Sequence, residues 1–325
     1  MTKRIIRIGT FNLFNLVLPN HRFYGKRRYS EGKYLRKINW VAQQLDRMRA
    51  DIVGFQEVFH QEALVDAVNT SHYLRGAHVI AANPSGRKPV VGLASKYPIE
   101  EWHTLEDFEE VLDIDDETLP AFKFRRPILR AVLRIRDDLN MIVYVVHLKS
   151  KRPDVPEGVD PHDNFERAKG QARSLVIRAA ESIALRSVIM DDLRGDNDPL
   201  VLLGDLNDSS LAVTSRLISG EPPLRKFPIE SKRDIWDVLL YHAQDIQARK
   251  SMFNSYYTHI HNGHHESLDH IMVSQELVQE YPKHVGRIGS FRVFNDHLVD
   301  ETVSEEMVPY WMSDHGQVVA TIELR

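Results

Sequence analysis

Residues 202–208 read Leu-Leu-Gly-Asp-Leu-Asn-Asp, an apolar run that stops at an acid and has an amide two positions later. A short apolar run beside turn-forming residues is typical of a buried strand. Side chains at i and i+2 of a strand point to the same side, so we expect Asp205 and Asn207 to face one site together. A plainer interpretation is a turn, because Asp and Asn favour turns through hydrogen bonds to their own backbone.

Polar side chains stand at the ends of apolar, β-rich runs at five other places in the chain. In chain order they are Asn12, Glu57, His147, Asp269, and the adjacent pair Asp314 and His315. A turn explains any one of these places. Their recurrence instead favours strands that deliver amides, carboxylates and imidazoles to one catalytic rim.

These segments, in this order, resemble the motifs of the endonuclease/exonuclease/phosphatase superfamily, whose members share the DNase I-like fold. The motifs are Thr-Phe-Asn-Leu (10–13), Gln-Glu-Val (56–58), His-Leu-Lys-Ser (147–150), Gly-Asp-Leu-Asn-Asp (204–208), Leu-Asp-His-Ile (268–271) and Ser-Asp-His (313–315). The resemblance covers nearly the whole chain. It implies a four-layer α/β sandwich of two packed mixed β-sheets flanked by helices. Members cut DNA, RNA, sphingomyelin and phosphoinositides, so the resemblance defines the chemistry better than the substrate.

The coarse pattern of elements agrees with a layered α/β architecture. Helical periodicity covers 34–48, 61–69 and 164–193, and strands are predicted at 90–95, 129–135, 141–147, 199–204 and 317–324, with a hairpin through 136–140. Strands grouped in pairs between helices favour two packed mixed sheets with helices outside. No linker rich in Pro, Gly or Ser divides the chain, so we expect one catalytic domain over residues 1–325.

The residue types suit metal-dependent hydrolysis of a phosphate ester. This reaction needs a cation on the phosphoryl oxygens, a base that aligns or deprotonates water, and donors that stabilise the developing charge. Oxygen ligands suit Mg2+ or Mn2+, so we predict that Glu57 binds the metal, supported by Asn12 and, through the resemblance, by Asp314. Asp205 is expected to be the general base or to position water. Asn207 would hold the nucleophile or a phosphate oxygen.

Two histidines complete the predicted site. His315 is expected to pair with Asp269, because a neighbouring carboxylate fixes the tautomer of an imidazole and raises its pKa. Through the resemblance, His147 would contact the phosphate or assist protonation of the leaving oxygen. A lone histidine after a strand is ordinarily a core or capping residue, but both of these lie at motif positions.

Composition limits the class of protein. The chain has 325 residues, 42% of them hydrophobic, and no cysteine, which excludes disulfides and thiolate zinc sites. Arg7, Asn12 and Asn15 interrupt any apolar targeting segment near the start, and no apolar run is long enough to span a bilayer. We therefore expect a cytoplasmic protein without an evident obligate protein partner.

Charge is distributed unevenly along the chain. The formal net charge is −4, but residues 106–117 hold eight acids and no base, which leaves the remainder net positive. We interpret the acidic stretch as a mobile surface loop. A Ca2+ site is the other interpretation, although the Gly and the later Glu of an EF-hand loop are missing.

Residues 21–37 mix basic and aromatic side chains directly after the Asn12 motif. Basic groups neutralise phosphates and aromatic rings stack on bases, so this mixture favours a nucleic acid substrate. Other basic clusters adjoin the predicted site loops. The residues that we predict to bind substrate are Arg27, Arg28, Arg126 and Lys149. Solvated surface charge is the competing interpretation of each cluster.

Three alternatives to a nuclease remain open. One is a phosphatase or phosphodiesterase that acts on a lipid headgroup or another small phosphoester. A second is a zinc hydrolase, because residues 258–265 contain a His-x-His followed by two more histidines, although the acid that such a motif requires is absent. The third is a non-catalytic binding module, which the presence of every expected polar residue argues against.

Overall fold

The computed structural model describes residues 4–25, 27–108, 113–114, 117–118, 123–195, 198–251 and 257–325. Two six-stranded sheets form its centre. The first half of the chain contains β1 (Arg4–Leu16), α1 (Glu31–Met48), β2 (Ile52–Val58), α2 (Gln61–Thr70), β3 (His78–Ala81), β4 (Val90–Ser95), β5 (Ile99–Asp107), β6 (Asp113–Ile114), β7 (Glu117–Thr118), β8 (Lys123–Arg136) and β9 (Leu139–His147).

The second half begins with the longest helix, α3. Its elements are α3 (Asn164–Gly195), β10 (Leu200–Asp205), α4 (Val213–Ser219), α5 (Ile229–Asp237), β11 (Tyr241–His242), α6 (Ala243–Ala248), β12 (His259–His261), β13 (His264–Glu266), β14 (Asp269–Val273), β15 (Gly286–Phe294) and β16 (Gln317–Leu324). A single 3-10 turn lies at Gln275–Leu277.

Both central sheets are mixed. The first has the strand order β15-β16-β1-β2-β4-β3, in which β1 runs parallel to β2 and antiparallel to β16. The second has the order β11-β14-β10-β9-β8-β5, in which β10 runs parallel to β9 and antiparallel to β14. Two packed mixed sheets with helices outside are the DNase I-like α/β sandwich, so the predicted fold class is confirmed.

The sheets share one apolar core. Phe55 of the first sheet and Val145 and Leu203 of the second belong to the same cluster of fully buried side chains. A second cluster lies under α3, where Tyr144 and Leu202 pack with helix residues such as Leu185. Strands buried on both faces read as continuous apolar runs, which explains the sequence of β9 and β10.

Gly204 is required at the end of β10 by a close approach to the neighbouring strand. Its φ is 151°, and a Cβ atom there would lie 2.0 Å from the carbonyl oxygen of Val146. A larger residue would push β10 away from β9 and move Asp205, the next residue. The Gly-Asp pair in the motif therefore has a packing reason.

Most predicted elements are observed within a few residues of their expected bounds. The hairpin through 136–140 joins β8 to β9, and the long helix runs from Asn164 to Gly195. Several elements were missed, including the edge strand β5, whose side chains are mostly exposed and acid-rich rather than apolar. Helices α4 to α6 were also missed because they are short.

The acidic stretch at 106–117 is described only in part. Glu106 and Asp107 end β5, and the two-residue strands β6 and β7 pair with each other. Positions 109–112, 115 and 116 of the predicted mobile loop lie outside the described residues. None of the helices in the described part of the chain combines the length and apolar content needed to cross a membrane.

Candidate active site

The register of the second sheet brings three polar residues side by side. Asp205, the last residue of β10, pairs with His147 of β9 on one side and with Asp269 of β14 on the other. Residues opposite each other on neighbouring strands project from the same face of the sheet. Main-chain hydrogen bonding alone therefore gathers two carboxylates and an imidazole.

The first sheet contributes Asn12 to the same place. The side-chain amide of Asn12 donates to Asp205 Oδ2 at 3.1 Å, across 193 positions of sequence and between the two sheets. Ser313 Oγ donates to the carbonyl oxygen of Asn12 at 2.6 Å, and the backbone N–H of His315 donates to Ser313 Oγ at 3.0 Å. Ser313 thus joins the segment of His315 to the strand of Asn12.

Two histidines flank Asp205. Asp205 Oδ2 lies 3.4 Å from His147 Nε2 and 3.9 Å from His315 Nε2. The other ring nitrogen of His315, Nδ1, is 2.8 Å from Asp269 Oδ2. The predicted Asp269–His315 pair is therefore present in the structure, with the imidazole between two carboxylates.

The two imidazoles differ in charge. Burial lowers the pKa of His147 well below its usual value, and the nearby charges of Arg126 and His315 lower it further. Burial also opposes the charged form of His315, but the carboxylate of Asp269, followed by those of Asp205 and Asp314, holds its pKa well above the usual value. These opposite shifts favour the protonated form of His315 and the neutral form of His147.

Asp205 has the properties of a base that works near neutrality. Burial raises its pKa to about 7, the charge of His315 lowers it, and the charge of Asp269 raises it. Its Oδ1 accepts a hydrogen bond from the backbone N–H of Asn207 at 2.8 Å, which orients the carboxylate. A general base is most effective when its pKa lies near the working pH.

The family model described as the Endonuclease/Exonuclease/phosphatase family matches residues 9–315. The chain belongs to this family. A family protein of Bacteroides thetaiotaomicron has a similar structure, with a TM-score of 0.58, 15% identity, and coverage of 100% of this chain and 96% of the other. No curated protein sequence matches the chain.

Two further solved structures share the fold of the family. The human Nocturnin catalytic domain with bound sulfate anion has a TM-score of 0.56 at 14% identity and covers 99% of this chain and 98% of its own. A mannosyl-6-phosphatase of Bacteroides thetaiotaomicron has a TM-score of 0.56 at 16% identity and covers 98% of this chain and 99% of its own. Identities this low show the fold alone.

Glu57 lies near the end of β2, where the pairing of this strand with β1 and with β4 becomes irregular. The register shifts there, and Glu57 adopts a left-handed φ of 61°. This conformation costs a non-glycine residue roughly 1–2 kcal/mol and is often retained at functional sites. Oε2 of Glu57 accepts from the backbone N–H of Asn15 at 2.9 Å. Burial and the charge of Asp314 raise the pKa of Glu57.

The donor set around Glu57 fits a hard divalent cation of the kind that the family uses. Asp314 Oδ1 is buried without a hydrogen-bond partner, and the charge of Asp314 raises the pKa of Glu57. Together with the side-chain amide oxygen of Asn12, these carboxylates are the kind of oxygen ligand that Mg2+ or Mn2+ prefers. The identity of the ion does not follow from the donors alone.

Among the described residues, two groups of three side chains have ligand atoms close enough together to hold a metal ion. One joins Asp205, Asp269 and His315, and the other joins His259, Asp314 and His315. In the first cluster Nδ1 of His315 is already paired with Asp269 Oδ2, so we interpret the cluster as a proton relay rather than a metal site. Glu57 belongs to neither cluster.

Asn207 reaches the site by a route that the sequence argument did not foresee. It lies beyond the end of β10 in a left-handed turn with a φ of 55°, so strand alternation does not explain its position. Its side-chain Nδ2 donates to the carbonyl oxygen of Leu148 at 2.9 Å. The turn interpretation was correct for Asn207, whereas Asp205 ends the strand as expected.

Arg126 and Lys149 differ in their availability to substrate. Arg126 Nη1 donates to the carbonyl oxygen of Leu148 at 3.0 Å, and its charge lowers the pKa of both Glu57 and Asp205. It therefore lies at the catalytic centre. The ammonium of Lys149 instead donates to Ser174 Oγ and to the carbonyl oxygen of Arg152, each at 3.0 Å, and so holds its own loop.

The segment 21–37 does not form a continuous aromatic platform. Phe23, Tyr29 and Tyr34 are buried in the core, whereas Tyr24 is 52% exposed. Burial and the charge of Glu57 raise the pKa of Tyr24, and the charges of Arg126, Arg152 and Arg27 lower it. We call Tyr24, Arg27, Arg126 and Arg152 the basic wall. Arg28 is exposed beside it.

Several residues at the site were not singled out for a role from the sequence. Lys37 of α1 is fully buried, and its ammonium has no hydrogen-bond partner. Its only sequence signal is a lysine within an apolar helical stripe. His259 stacks on His315 with ring centroids 4.7 Å apart, and the sequence named it only with His264, as alternative substrate contacts of a histidine-rich loop.

Helix α3 supports both catalytic loops through two buried side chains. Glu181 accepts from the backbone N–H groups of Arg125 and Lys149 at 2.8 and 2.7 Å. Arg178 donates to the carbonyl oxygen of Lys149 at 3.0 Å and to Asp208 Oδ2 at 2.9 Å. The helix therefore ties the loop after His147 to the loop after Asp205.

Proposed function

We propose that the protein is a Mg2+- or Mn2+-dependent phosphodiesterase and that a nucleic acid strand is its substrate. The observation that carries the catalytic part is Asp205, a buried carboxylate between one neutral and one protonated imidazole. The carboxylate can act as the base, and the positive imidazole of His315, close to Asp205 Oδ2, can donate a hydrogen bond. Phosphoester hydrolysis requires both kinds of group.

Each residue has a separate task in the proposed reaction. Asp205 accepts the proton of the attacking water while Asn12 and the N–H of Asn207 hold its two oxygens. His315, kept positive by Asp269, donates to a phosphoryl oxygen and stabilises the charge that develops there. A divalent ion held by Glu57, Asp314 and Asn12 would polarise the phosphoryl group.

His147 works as a neutral group. In that form the ring carries one N–H group, which we assign to Nε2 because this atom lies 3.4 Å from Asp205 Oδ2. Once Asp205 has taken up the proton of the attacking water, His147 donates a hydrogen bond to the phosphate or to the departing oxygen and keeps its own proton. The departing oxygen takes up the proton that Asp205 has accepted.

The basic wall supports a nucleic acid as substrate. Arg27, Arg126 and Arg152 carry positive charge that acts on Tyr24, whose ring is exposed, and the charge of Arg126 also acts on Glu57. Cationic side chains hold the phosphates that flank the scissile one, and a ring stacks on a base.

A small phosphoester is the second candidate substrate. Three of the four aromatic side chains in segment 21–37 are core residues, and the charges of Lys33 and Arg36 lie over the rings of Tyr310 and Trp311. The surface left to follow a long strand is therefore short. A cytoplasmic location and a single domain over residues 1–325 stay predictions.

A substrate panel tests this proposal. End-labelled DNA and RNA oligonucleotides, sphingomyelin and inositol phosphates are incubated with Mg2+, Mn2+, Ca2+ or EDTA. We expect oligonucleotide cleavage with Mg2+ or Mn2+, none with EDTA, and none with Asp205→Asn. The matched control is Asp191→Asn, which makes the same change on an exposed face of α3. Cleavage that persists in EDTA, or rescue by Zn2+ alone, contradicts the metal assignment.

A further inference from the structure

Lys37 is the only buried cation of helix α1. The side chains of Lys33, Arg36 and Arg47 on the same helix are exposed, whereas Lys37 is 0% exposed. Within the described part of the chain, its ammonium makes neither a hydrogen bond nor an ion pair. Burial of an unpaired charge is costly, so the position favours a role for the charge itself.

The ammonium of Lys37 packs against the residues that hold Glu57. Its nitrogen lies 5.7 Å from the ring centroid of Phe14 and 6.0 Å from that of Tyr29. The hydroxyl of Tyr29 donates to the carbonyl oxygen of Asn15 at 3.1 Å, and the N–H of Asn15 donates to Glu57 Oε2 at 2.9 Å. A short series of contacts therefore connects Lys37 to a carboxylate that is proposed to bind the metal.

The charge of Lys37 acts on both carboxylates of the proposed metal site. Burial lowers the pKa of Lys37, while the charges of Asp314 and Glu57 raise it. Asp314 Oδ1 is also buried without a hydrogen-bond partner. Charges interact more strongly in a buried site than in water, because the surroundings screen them less. Lys37 therefore neutralises part of the negative charge of the site before an ion binds.

The same ammonium repels a divalent ion that Glu57 and Asp314 hold. The repulsion is proportional to the charge of the ion, so a doubly charged ion experiences twice the repulsion of a singly charged one. Water and salt screen the exposed charge of Lys33, but they do not reach the buried charge of Lys37. The two carboxylates should therefore bind their ion more weakly than they would without this lysine.

Contact with substrate does not explain Lys37. A side chain with no exposed surface does not reach a phosphate, unlike the partly exposed Arg126, whose charge also acts on Glu57. A purely structural role is the alternative, and it makes the opposite prediction for the metal. Loss of a lysine that only supports the residues around Glu57 would disturb the ligands and weaken ion binding.

We propose that Lys37 is a fixed positive charge that weakens the binding of a divalent ion by Glu57 and Asp314, so that occupancy of the site follows the concentration of the free ion. The proposal rests on the proposed function, since it concerns the metal of that reaction. Lys37 acts through the two ligands and does not touch the reacting atoms.

Titration with Mn2+ at pH 6.5 tests the proposal, because Lys37 keeps its proton below its pKa of about 8. Electron paramagnetic resonance measures free Mn2+ in solutions of the wild type, Lys37→Met and Lys37→Gln, and both variants remove the charge. We expect the dissociation constant to fall about tenfold or more in both variants. Lys33→Met removes an exposed charge of the same helix and is the matched control, which should bind Mn2+ like the wild type.

The direction of the change decides between the two roles of Lys37. Unchanged or weaker Mn2+ binding in the two Lys37 variants overturns the proposal, and weaker binding is the result that a structural role predicts. Near-UV circular dichroism shows whether each variant keeps the tertiary structure. Loss of that structure in both variants would assign Lys37 to the support of the core and would also overturn the proposal.

Metal binding and hydrolysis separate this proposal from the proposed function. If the Lys37 variants bind Mn2+ more tightly but no phosphoester is hydrolysed by the wild type, the proposed function fails and the role of Lys37 stands. If esters are hydrolysed with Mn2+ and all affinities are equal, the role of Lys37 fails and the proposed function stands. The Mg2+ concentration that gives half-maximal turnover should fall in the same variants by a similar factor.

Discussion

The basic wall and the cleft that His259, Asp300 and Asp314 line both adjoin the candidate site, and they carry opposite charge. The wall surrounds Tyr24 with three arginines, and the cleft places Asp300 and Glu301 beside Asp314. Phosphate groups are therefore favoured at the wall and disfavoured in the cleft. The difference teaches that the site gives a substrate its orientation by charge before any specific contact forms.

The largest expected effect is the loss of Asp205, which serves substrates bound on both sides. Asp205→Asn keeps the size of the side chain and removes the base, so we expect kcat to fall by about 10²–10⁴-fold. Steady-state turnover of nitrophenyl and oligonucleotide substrates measures it. Near wild-type turnover would show that another group is the base.

The second effect is on pH dependence. Asp205 must lose its proton to act, so activity should rise with pH to a midpoint at or below about 7, because a bound divalent ion lowers the pKa further. Activity should fall at higher pH, where His315 loses the proton that Asp269 stabilises. In Asp269→Asn this descending limb should move to lower pH. A profile of log kcat/KM against pH measures both limbs.

The third effect concerns the basic wall and the neighbouring Arg28. Arg27→Glu with Arg28→Glu should weaken oligonucleotide cleavage by about tenfold or more at low salt and flatten its salt dependence, because fewer counter-ions are released. Nitrophenyl substrates should respond much less. Equal losses for both substrates would mean that the wall supports the site rather than the strand. The slope of log kcat/KM against log salt concentration distinguishes these outcomes.

Substitution of Lys37 is expected to have the smallest effect on turnover. Its effect on the free energy of unfolding should nevertheless be measurable. Burial lowers the pKa of Lys37 to about 8 from an ordinary value near 10.5, while the charges of Asp314 and Glu57 raise it. The unfolded chain therefore binds more protons between these pH values, and the free energy of unfolding should rise with pH there, by up to about 3 kcal/mol.

Urea unfolding of the metal-free protein from pH 7 to 10 measures this rise. In Lys37→Met the rise should be lost, and Lys33→Met, which changes an exposed lysine on the same helix, is the control. If both variants behave like the wild type, Lys37 is not buried as a charged group.

Some parts of the site follow from local sequence and others do not. Asp205 and His147 could be predicted because each follows a buried strand, and parallel register then places them together. The conformation of Asn207 could not, because a left-handed turn and a continuing strand fit the same letters. The aromatic residues of segment 21–37 were predicted to meet substrate, yet most pack inside.

The sequence by itself determined the family, the two mixed sheets, and which acids, amides and histidines stand at strand ends, because hydrophobic periodicity and short motifs are local properties. Tertiary structure alone decided that Asn12 reaches Asp205 across the sheets, that Lys37 is buried, and that His315 is charged while His147 is neutral. These properties depend on burial and on distances between remote segments, which no local pattern specifies.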